Sequence, residues 1–179
     1  LCRIIVGIVF IYSGFVKGID PLGSDYKFTD YFNAFGMGWM NATTLFFSFA
    51  LSLAEFLIGI ALLFNLWVSR MAWGSLLFMF FFTPLTLVSA LTNPVSDCGC
   101  FGDATLLTNW QTFWKNIILL LLAIMIFVYR KEYKSSLPLV GQFSFLALAG
   151  AGMLCLSVYC YRHLPVLDFR PYAVGKNIT

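Results

Sequence analysis

Charged residues are scarce in this sequence of 179 residues: Asp, Glu, Lys and Arg together make up 11% of it. Soluble domains carry about 25% charged residues and roughly 45–50% apolar residues, whereas 60% of this chain is apolar and its mean hydropathy is +0.86. Too little polar surface remains to cover a globule in water. The composition therefore excludes a soluble domain, a disordered chain and a small disulfide scaffold, and it predicts a protein surrounded by membrane lipid.

Other absences narrow the functional classes. The sequence has one histidine, a net charge of only +3, no long basic run and no glycine-rich phosphate loop, so we expect no nucleic-acid partner. No small-residue cleavage site follows the apolar N-terminal stretch, which favours a membrane helix over a signal peptide. The sequence begins with Leu1 rather than Met, and we expect the natural start to be missing.

Five apolar stretches approach the roughly 20 residues that cross a bilayer. They are continuous rather than alternating, and an open sheet cannot cross lipid with unpaired edges. The predicted fold is therefore all-α, a polytopic membrane helical bundle. The predicted helices cover residues 2–18, 44–66, 71–92, 113–129 and 143–161. We divide the chain into a four-helix unit (1–134), followed by a fifth transmembrane helix and the start of an outer tail (135–179).

The connections differ in length and charge, and this difference predicts the orientation. The short connections 67–70 and 130–142 are dense in basic residues, namely Arg70, Arg130, Lys131 and Lys134. The longer segments 19–43 and 93–112 contain most of the aspartates. By the positive-inside rule the short basic connections face the cytoplasm. This places the N-terminus inside, and both long loops and the C-terminus outside.

Two cysteines form the most distinctive motif, Ser-Asp-Cys-Gly-Cys-Phe-Gly-Asp at 96–103 in the second outer loop. Cys98 and Cys100 can bridge only through a folded-back turn, which Gly99 permits. Such a small ring is strained, and strained exposed disulfides are easily reduced, as expected of an exchange site. The neighbouring carboxylates of Asp97 and Asp103 disfavour a thiolate, so we expect the pair to act as the disulfide that a partner's thiolate attacks.

Other interpretations of the cysteines stay open at this point. Cys98 and Cys100 could form a merely structural disulfide, pair with Cys160, remain inert, or supply two ligands of a zinc or iron–sulfur site, although such sites usually need four ligands. No metal is predicted. Cys2 and Cys155 lie in apolar runs and are interpreted as packed thiols.

Glu55 is an ionisable residue about 16 Å along the second predicted transmembrane helix, near the bilayer centre. A carboxylate there must be protonated, paired or facing a polar cavity. Lys17, near the outer end of the first helix, is the candidate partner, but it lies shallower, so the pair is expected to need a tilted first helix or a bridging water. We weigh two roles for Glu55 and Lys17 equally: a structural ion pair that joins the two helices, and a role in proton transfer or quinone binding. Thr83, Pro84 and Thr86 interrupt the third helix and are interpreted as packing residues.

At these residues the sequence resembles a known group, the DoxX/MauE small membrane proteins. The resemblance lies in segments 3–17, 53–63, 97–103 and 109–116 and covers roughly residues 3–130. Its specific part is the Cys-x-Cys loop together with Ser13, Gly14, Lys17 and Glu55. The resemblance implies a periplasm-facing redox role in a bacterial inner membrane, supporting disulfide maturation or working beside a thioredoxin-like protein. The fifth helix and the tail 163–172 extend beyond this unit, and an outer domain is expected to follow residue 179.

Three functional hypotheses follow from these observations. The first is thiol–disulfide exchange or redox maturation through Cys98 and Cys100, with Lys17 and Glu55 organising the bundle or passing a proton. The second is a non-catalytic subunit or anchor of a larger envelope complex. The third is a subunit of a quinone-linked oxidoreductase with a quinone near Glu55. Beyond that quinone no cofactor is predicted, and the expected partners are membrane lipid and a thioredoxin-like periplasmic protein or a larger membrane complex.

Overall fold

The computed structural model describes residues 1–93, 107–133, 135, 137–163 and 165–167. Cys98 and Cys100, together with the motif around them, lie outside the described residues. Within the described residues every regular element is a helix, which confirms the predicted all-α class. The elements in chain order are α1 (Cys2–Ile19), α2 (Pro21–Ala34), a short 3-10 helix (Gly38–Thr43), α3 (Thr44–Leu63), α4 (Val68–Thr92), α5 (Asn109–Val128) and α6 (Leu139–Arg162).

Five of the described helices are long and apolar enough to span a membrane: α1, α3 with the 3-10 helix before it, α4, α5 and α6. They correspond to the five predicted helices; the ends of the α-helices differ from the predicted ends by up to four residues, and the 3-10 helix adds six residues before α3. The chain is therefore a multi-pass membrane protein. We call the end where α1, α4 and α6 finish and α3 and α5 begin the loop end. The opposite end, which carries Arg3, Arg70 and Arg130, is the basic end.

The second helix, α2, was not predicted, because residues 19–43 were interpreted as an outer loop. Asp20 caps its N-terminus by accepting a hydrogen bond from the Gly23 amide at 2.9 Å, and Pro21 occupies the first turn. Past the C-terminus, Gly36 adopts a φ of +71°, a left-handed conformation that favours glycine. The helix carries three charged residues in 14 and packs across α3 at the loop end rather than crossing the membrane.

The closest helix pair is α1 and α3, which approach backbone to backbone. A Cβ atom built on Gly14 would lie 2.6 Å from the Phe56 nitrogen and 2.7 Å from the Ser52 carbonyl oxygen. A Cβ on Gly59 would lie 2.6 Å from the Ile11 nitrogen. Only glycine fits at these two positions, and small residues are the usual means of close helix approach in membranes.

The remaining helices pack around this pair. α4 pairs with α5, and α6 lies against α3 and α1 at the edge of the bundle. At the basic end, Gln142 of α6 accepts a hydrogen bond from the Trp67 amide at 2.9 Å and so joins α6 to the turn between α3 and α4. Trp39, Trp110 and Trp114 at the loop end are exposed, as is Trp73 near the basic end. These positions are typical of tryptophans at the two membrane–water interfaces.

Candidate functional site

The polar centre of the bundle is the carboxylate of Glu55, a residue of α3 that is 4% exposed. Lys17 donates to both of its oxygens, with Nζ–Oε1 and Nζ–Oε2 distances of 2.7 and 2.8 Å. Ser13 Oγ donates to Oε2 at 2.7 Å. Glu55 thus meets the condition for a carboxylate in a membrane-spanning helix, because it is both paired and hydrogen-bonded. The structure brings together the three membrane residues that the sequence singled out.

The ion pair forms directly because α1 and α3 are offset along the bundle axis, so that the loop end of α1 does not lie level with the first turn of α3. Ser48 Oγ donates to the Pro21 carbonyl at 2.8 Å, which places the loop end of α1 level with the second turn of α3. Lys17 and Ser13 are four residues apart on one face of α1. Ser13 lies level with Glu55, and Lys17 lies about one turn, or about 5.4 Å, closer to the loop end. A lysine side chain spans that difference, so neither a bridging water nor a strongly tilted first helix is required.

A cavity of about 100 Å³ borders this ion pair, and Ser13, Lys17 and Glu55 all line it. Its wall includes α1, α2, α3, α4 and α5. Most of the lining is apolar and aromatic, and the polar groups are few. The cavity is therefore amphipathic, with a charged pair on one side.

The α2 helix closes the loop end of the cavity. Ser24, Lys27, Phe28 and Tyr31 all line it, and their spacing of three, four and seven residues places them on one helix face. Tyr31 and Ser24 are buried. The helix that the sequence analysis missed thus contributes one complete face to the site.

The wall formed by α4 and α5 is held by hydrogen-bonded side chains. Asn116 Nδ2 donates to Thr86 Oγ1 at 3.2 Å, and the Thr86 hydroxyl donates to the Thr83 carbonyl at 2.9 Å. Thr86, Asn116 and the adjacent Lys115 line the cavity. Thr86 therefore has a place at the site besides its predicted packing role.

The segment that holds Cys98 and Cys100 starts and ends at the loop end of the bundle. Asn109 Nδ2 donates to Asn93 Oδ1 at 3.1 Å, which joins the last described residue before the segment to the first residue of α5. Along the sequence, Cys98 is the fifth residue after Asn93 and Cys100 is the seventh.

The other cysteines are free thiols. Cys160 is buried near the loop end of α6 and forms no disulfide with another described cysteine. Its alternative pairing with Cys98 or Cys100 involves residues outside the described ranges. Cys155 is exposed on α6, and Cys2 is half-buried with its Sγ 4.0 Å from Met125 Sδ. Among the described residues no group of three His, Cys, Asp or Glu side chains is placed to hold a metal ion.

Several cavity residues escaped the sequence analysis, namely Ser24, Lys27, Lys115 and Asn116. A local signal for α2 does exist in the sequence, since Asp20-Pro21 is typical of a helix start and Gly36 of a helix end. No local signal marks Lys115 and Asn116 as cavity residues, because their position depends on how α5 is rotated against α4.

Comparison with known proteins gives one family. The family model described as methylamine utilisation protein MauE matches residues 1–129, which include α1 to α5 and the Cys-Gly-Cys motif. No curated protein and no solved structure matches the chain significantly.

Proposed function

Because the chain belongs to the MauE family, we propose that it takes part in periplasmic thiol–disulfide exchange or redox maturation through Cys98 and Cys100. The proposed location is a bacterial inner membrane, with the loop end facing the periplasm. The proposed partner is a thioredoxin-like periplasmic protein or a larger membrane complex.

The observation that carries this proposal is the position of the residues that flank the Cys-Gly-Cys segment. The Asn109–Asn93 hydrogen bond joins the described residues on either side of it, at the end of the bundle opposite Arg3, Arg70 and Arg130. Since dense basic residues mark the cytoplasmic side, the cysteines are expected to face the oxidising compartment, where a thiol pair forms a disulfide. Five described helices are long and apolar enough to span a membrane, which supports exchange by a membrane-bound protein.

The reaction is a disulfide exchange in two steps. A partner thiolate attacks one loop sulfur, breaks the Cys98–Cys100 bond and forms a mixed disulfide. The partner's second thiolate then attacks the mixed disulfide, which leaves the partner oxidised and the loop as a dithiol. Two electrons pass from the partner to the loop.

Trapping the mixed disulfide tests this proposal. In membranes from cells that express the Cys98→Ser or the Cys100→Ser variant, the remaining loop cysteine is expected to form a mixed disulfide that mass spectrometry identifies. The matched control keeps Cys155, the exposed thiol on α6, as the only cysteine.

The outcome separates exchange from a purely structural role. If either serine variant abolishes oxidation of a dithiol substrate while the protein still assembles in the membrane, the exchange role is supported. If both variants retain that activity and give no more mixed disulfide than the Cys155 control, the cysteine pair only cross-links its own loop. The protein is then a non-catalytic subunit.

A further inference from the structure

The cavity beneath α2 has a lining that thiol exchange at the loop does not require. Five aromatic side chains surround it: Phe10 from α1, Phe28 and Tyr31 from α2, and Phe78 and Phe82 from α4. Phe10 and Phe78 meet edge to face with a centroid distance of 5.5 Å, and Phe78 and Phe82 stack at 4.4 Å. This is a lining that suits a flat ring.

Hydrogen-bond donors accompany these aromatic rings. Ser24 is 6% exposed, and its Oγ has no hydrogen-bond partner in the described part of the chain. A buried hydroxyl without a partner costs free energy, and this one belongs to a residue that lines the cavity. Asn116 and Lys115, whose side chains carry further donors, line the cavity from α5.

The size of the cavity limits what it can hold. A buried apolar cavity of about 150 Å³ accommodates benzene; this cavity is smaller, at about 100 Å³, but it opens to the surface. It can therefore enclose only part of a substituted ring, whose remainder lies in the opening, and it has no room for a folded lipid. The charge of Lys17 is already balanced by Glu55. A flat ring with hydrogen-bond acceptors and an apolar chain that leaves through the opening therefore fits better than an acidic lipid.

We propose that this cavity binds the head group of an isoprenoid quinone, which serves as the electron acceptor for the loop cysteines. This inference rests on the proposed function, because exchange leaves a dithiol that must be reoxidised. The quinone ring lies among the aromatic side chains, and its carbonyl oxygens accept hydrogen bonds from Ser24 and from Lys115 or Asn116.

The electron balance is complete with this acceptor. When the Cys98–Cys100 dithiol is reoxidised, two S–H bonds break and one S–S bond forms. The two electrons and two protons reduce the quinone to a quinol, in which two O–H bonds form. The Ser13–Glu55–Lys17 cluster in the cavity wall offers groups that can relay one of these protons.

Binding of decylubiquinone to the purified full chain in detergent tests the proposal. The quinone is measured in the protein fraction after size-exclusion chromatography, with empty micelles as the blank. We expect saturable binding of about one quinone per chain. Replacing Leu51, a cavity residue, in the Leu51→Phe variant fills space and should weaken binding at least about tenfold, a change equivalent to about 1.4 kcal/mol.

Two further variants keep the test decisive. Leu148→Phe makes the same replacement at a residue of α6 that is 75% exposed, and it should leave binding unchanged. Ser24→Ala removes one donor with little change in volume, and it should weaken binding about fivefold, as expected for one hydrogen bond. Circular dichroism identifies any variant that does not fold, and Ser24→Ala then carries the test.

The results distinguish this inference from the proposed function. The Cys98→Ser/Cys100→Ser double variant should bind quinone normally and fail only in thiol exchange. Absence of saturable binding, or equal binding by folded Leu51→Phe and Ser24→Ala variants, overturns the quinone site. So does a fatty acid or phospholipid that co-purifies with the wild type in place of quinone and is lost in Leu51→Phe. None of these results bears on exchange by the cysteines.

Discussion

The Ser48 hydroxyl donates to the carbonyl of Pro21 at 2.8 Å, and this bond joins α3 to the first residue of α2. It sets the depth at which α1 ends, and therefore the depth of Lys17 beside Glu55. The same bond holds the start of α2 over the cavity. One buried contact thus relates the ion pair, the α2 helix and the cavity to one another.

Removing one partner of the ion pair is expected to destabilise the protein strongly. Glu55→Leu removes the carboxylate that accepts hydrogen bonds from the mostly buried Lys17 ammonium group and from the Ser13 hydroxyl. Loss of one member of a buried pair costs about 3–5 kcal/mol. Glu55→Gln keeps a hydrogen-bond acceptor and should cost clearly less. The free energy of unfolding, measured by SDS titration in mixed micelles, checks this order.

A double variant and an activity assay separate the structural role from proton transfer. Lys17→Met combined with Glu55→Leu removes both charges and should recover much of the stability lost in Glu55→Leu. If Glu55 passes a proton, Glu55→Gln and Glu55→Leu should reduce exchange activity equally. Wild-type stability of the Glu55→Leu variant would contradict the structural account of the pair.

The close approach of α1 and α3 predicts which glycines tolerate a methyl group. Gly14→Ala and Gly59→Ala each place a carbon 2.6 Å from a backbone nitrogen of the facing helix. The helices must then move apart, at a cost of about 1–3 kcal/mol, as for other overpacked positions. Unfolding in mixed micelles measures the effect.

Gly152 provides the matched control on α6. An added Cβ there meets nothing within 4 Å, and alanine favours a helix over glycine by about 1 kcal/mol. Gly152→Ala should therefore be neutral or slightly stabilising. Equal destabilisation by all three alanine variants would show that the effect does not come from the contact between α1 and α3.

The orientation is tested by labelling single cysteines in a background without the five native ones. Trp39→Cys lies at the loop end, where Trp39 is 81% exposed, and it should react with a membrane-impermeant maleimide added outside intact cells. Glu132→Cys and Tyr133→Cys lie in the exposed connection at the basic end and should react only after the cells are opened. Labelling at residue 133 from outside would reverse the topology.

The spanning helices could be predicted from the sequence because long apolar runs have few alternatives in a membrane. Their ends were harder to place where polar residues continue a helix. α5 begins at Asn109 rather than at residue 113, because Thr108 and Gln111 form a capping box. α2 was missed because its three charged residues interrupt the apolar pattern on which the prediction relied.

The ion pair and the cavity differ in how far the sequence predicts them. A carboxylate deep in an apolar run demands a partner, and Lys17 was the natural candidate, so the pairing was suggested by simple electrostatics. The cavity depends on the rotation of α4 and α5, whose apolar surfaces look alike on every face. Ser24, Lys115 and Asn116 meet there only through tertiary packing.

The redox potential of the Cys98–Cys100 pair tests the central claim most directly. The purified protein is equilibrated in glutathione buffers, and the loop thiols are quantified by maleimide mass tagging, with the Cys98→Ser/Cys100→Ser variant as the blank. An exchange site should have a midpoint above about −300 mV, the upper limit typical of structural disulfides in secreted proteins. A midpoint well below that value would identify the pair as a structural disulfide and contradict the proposed function.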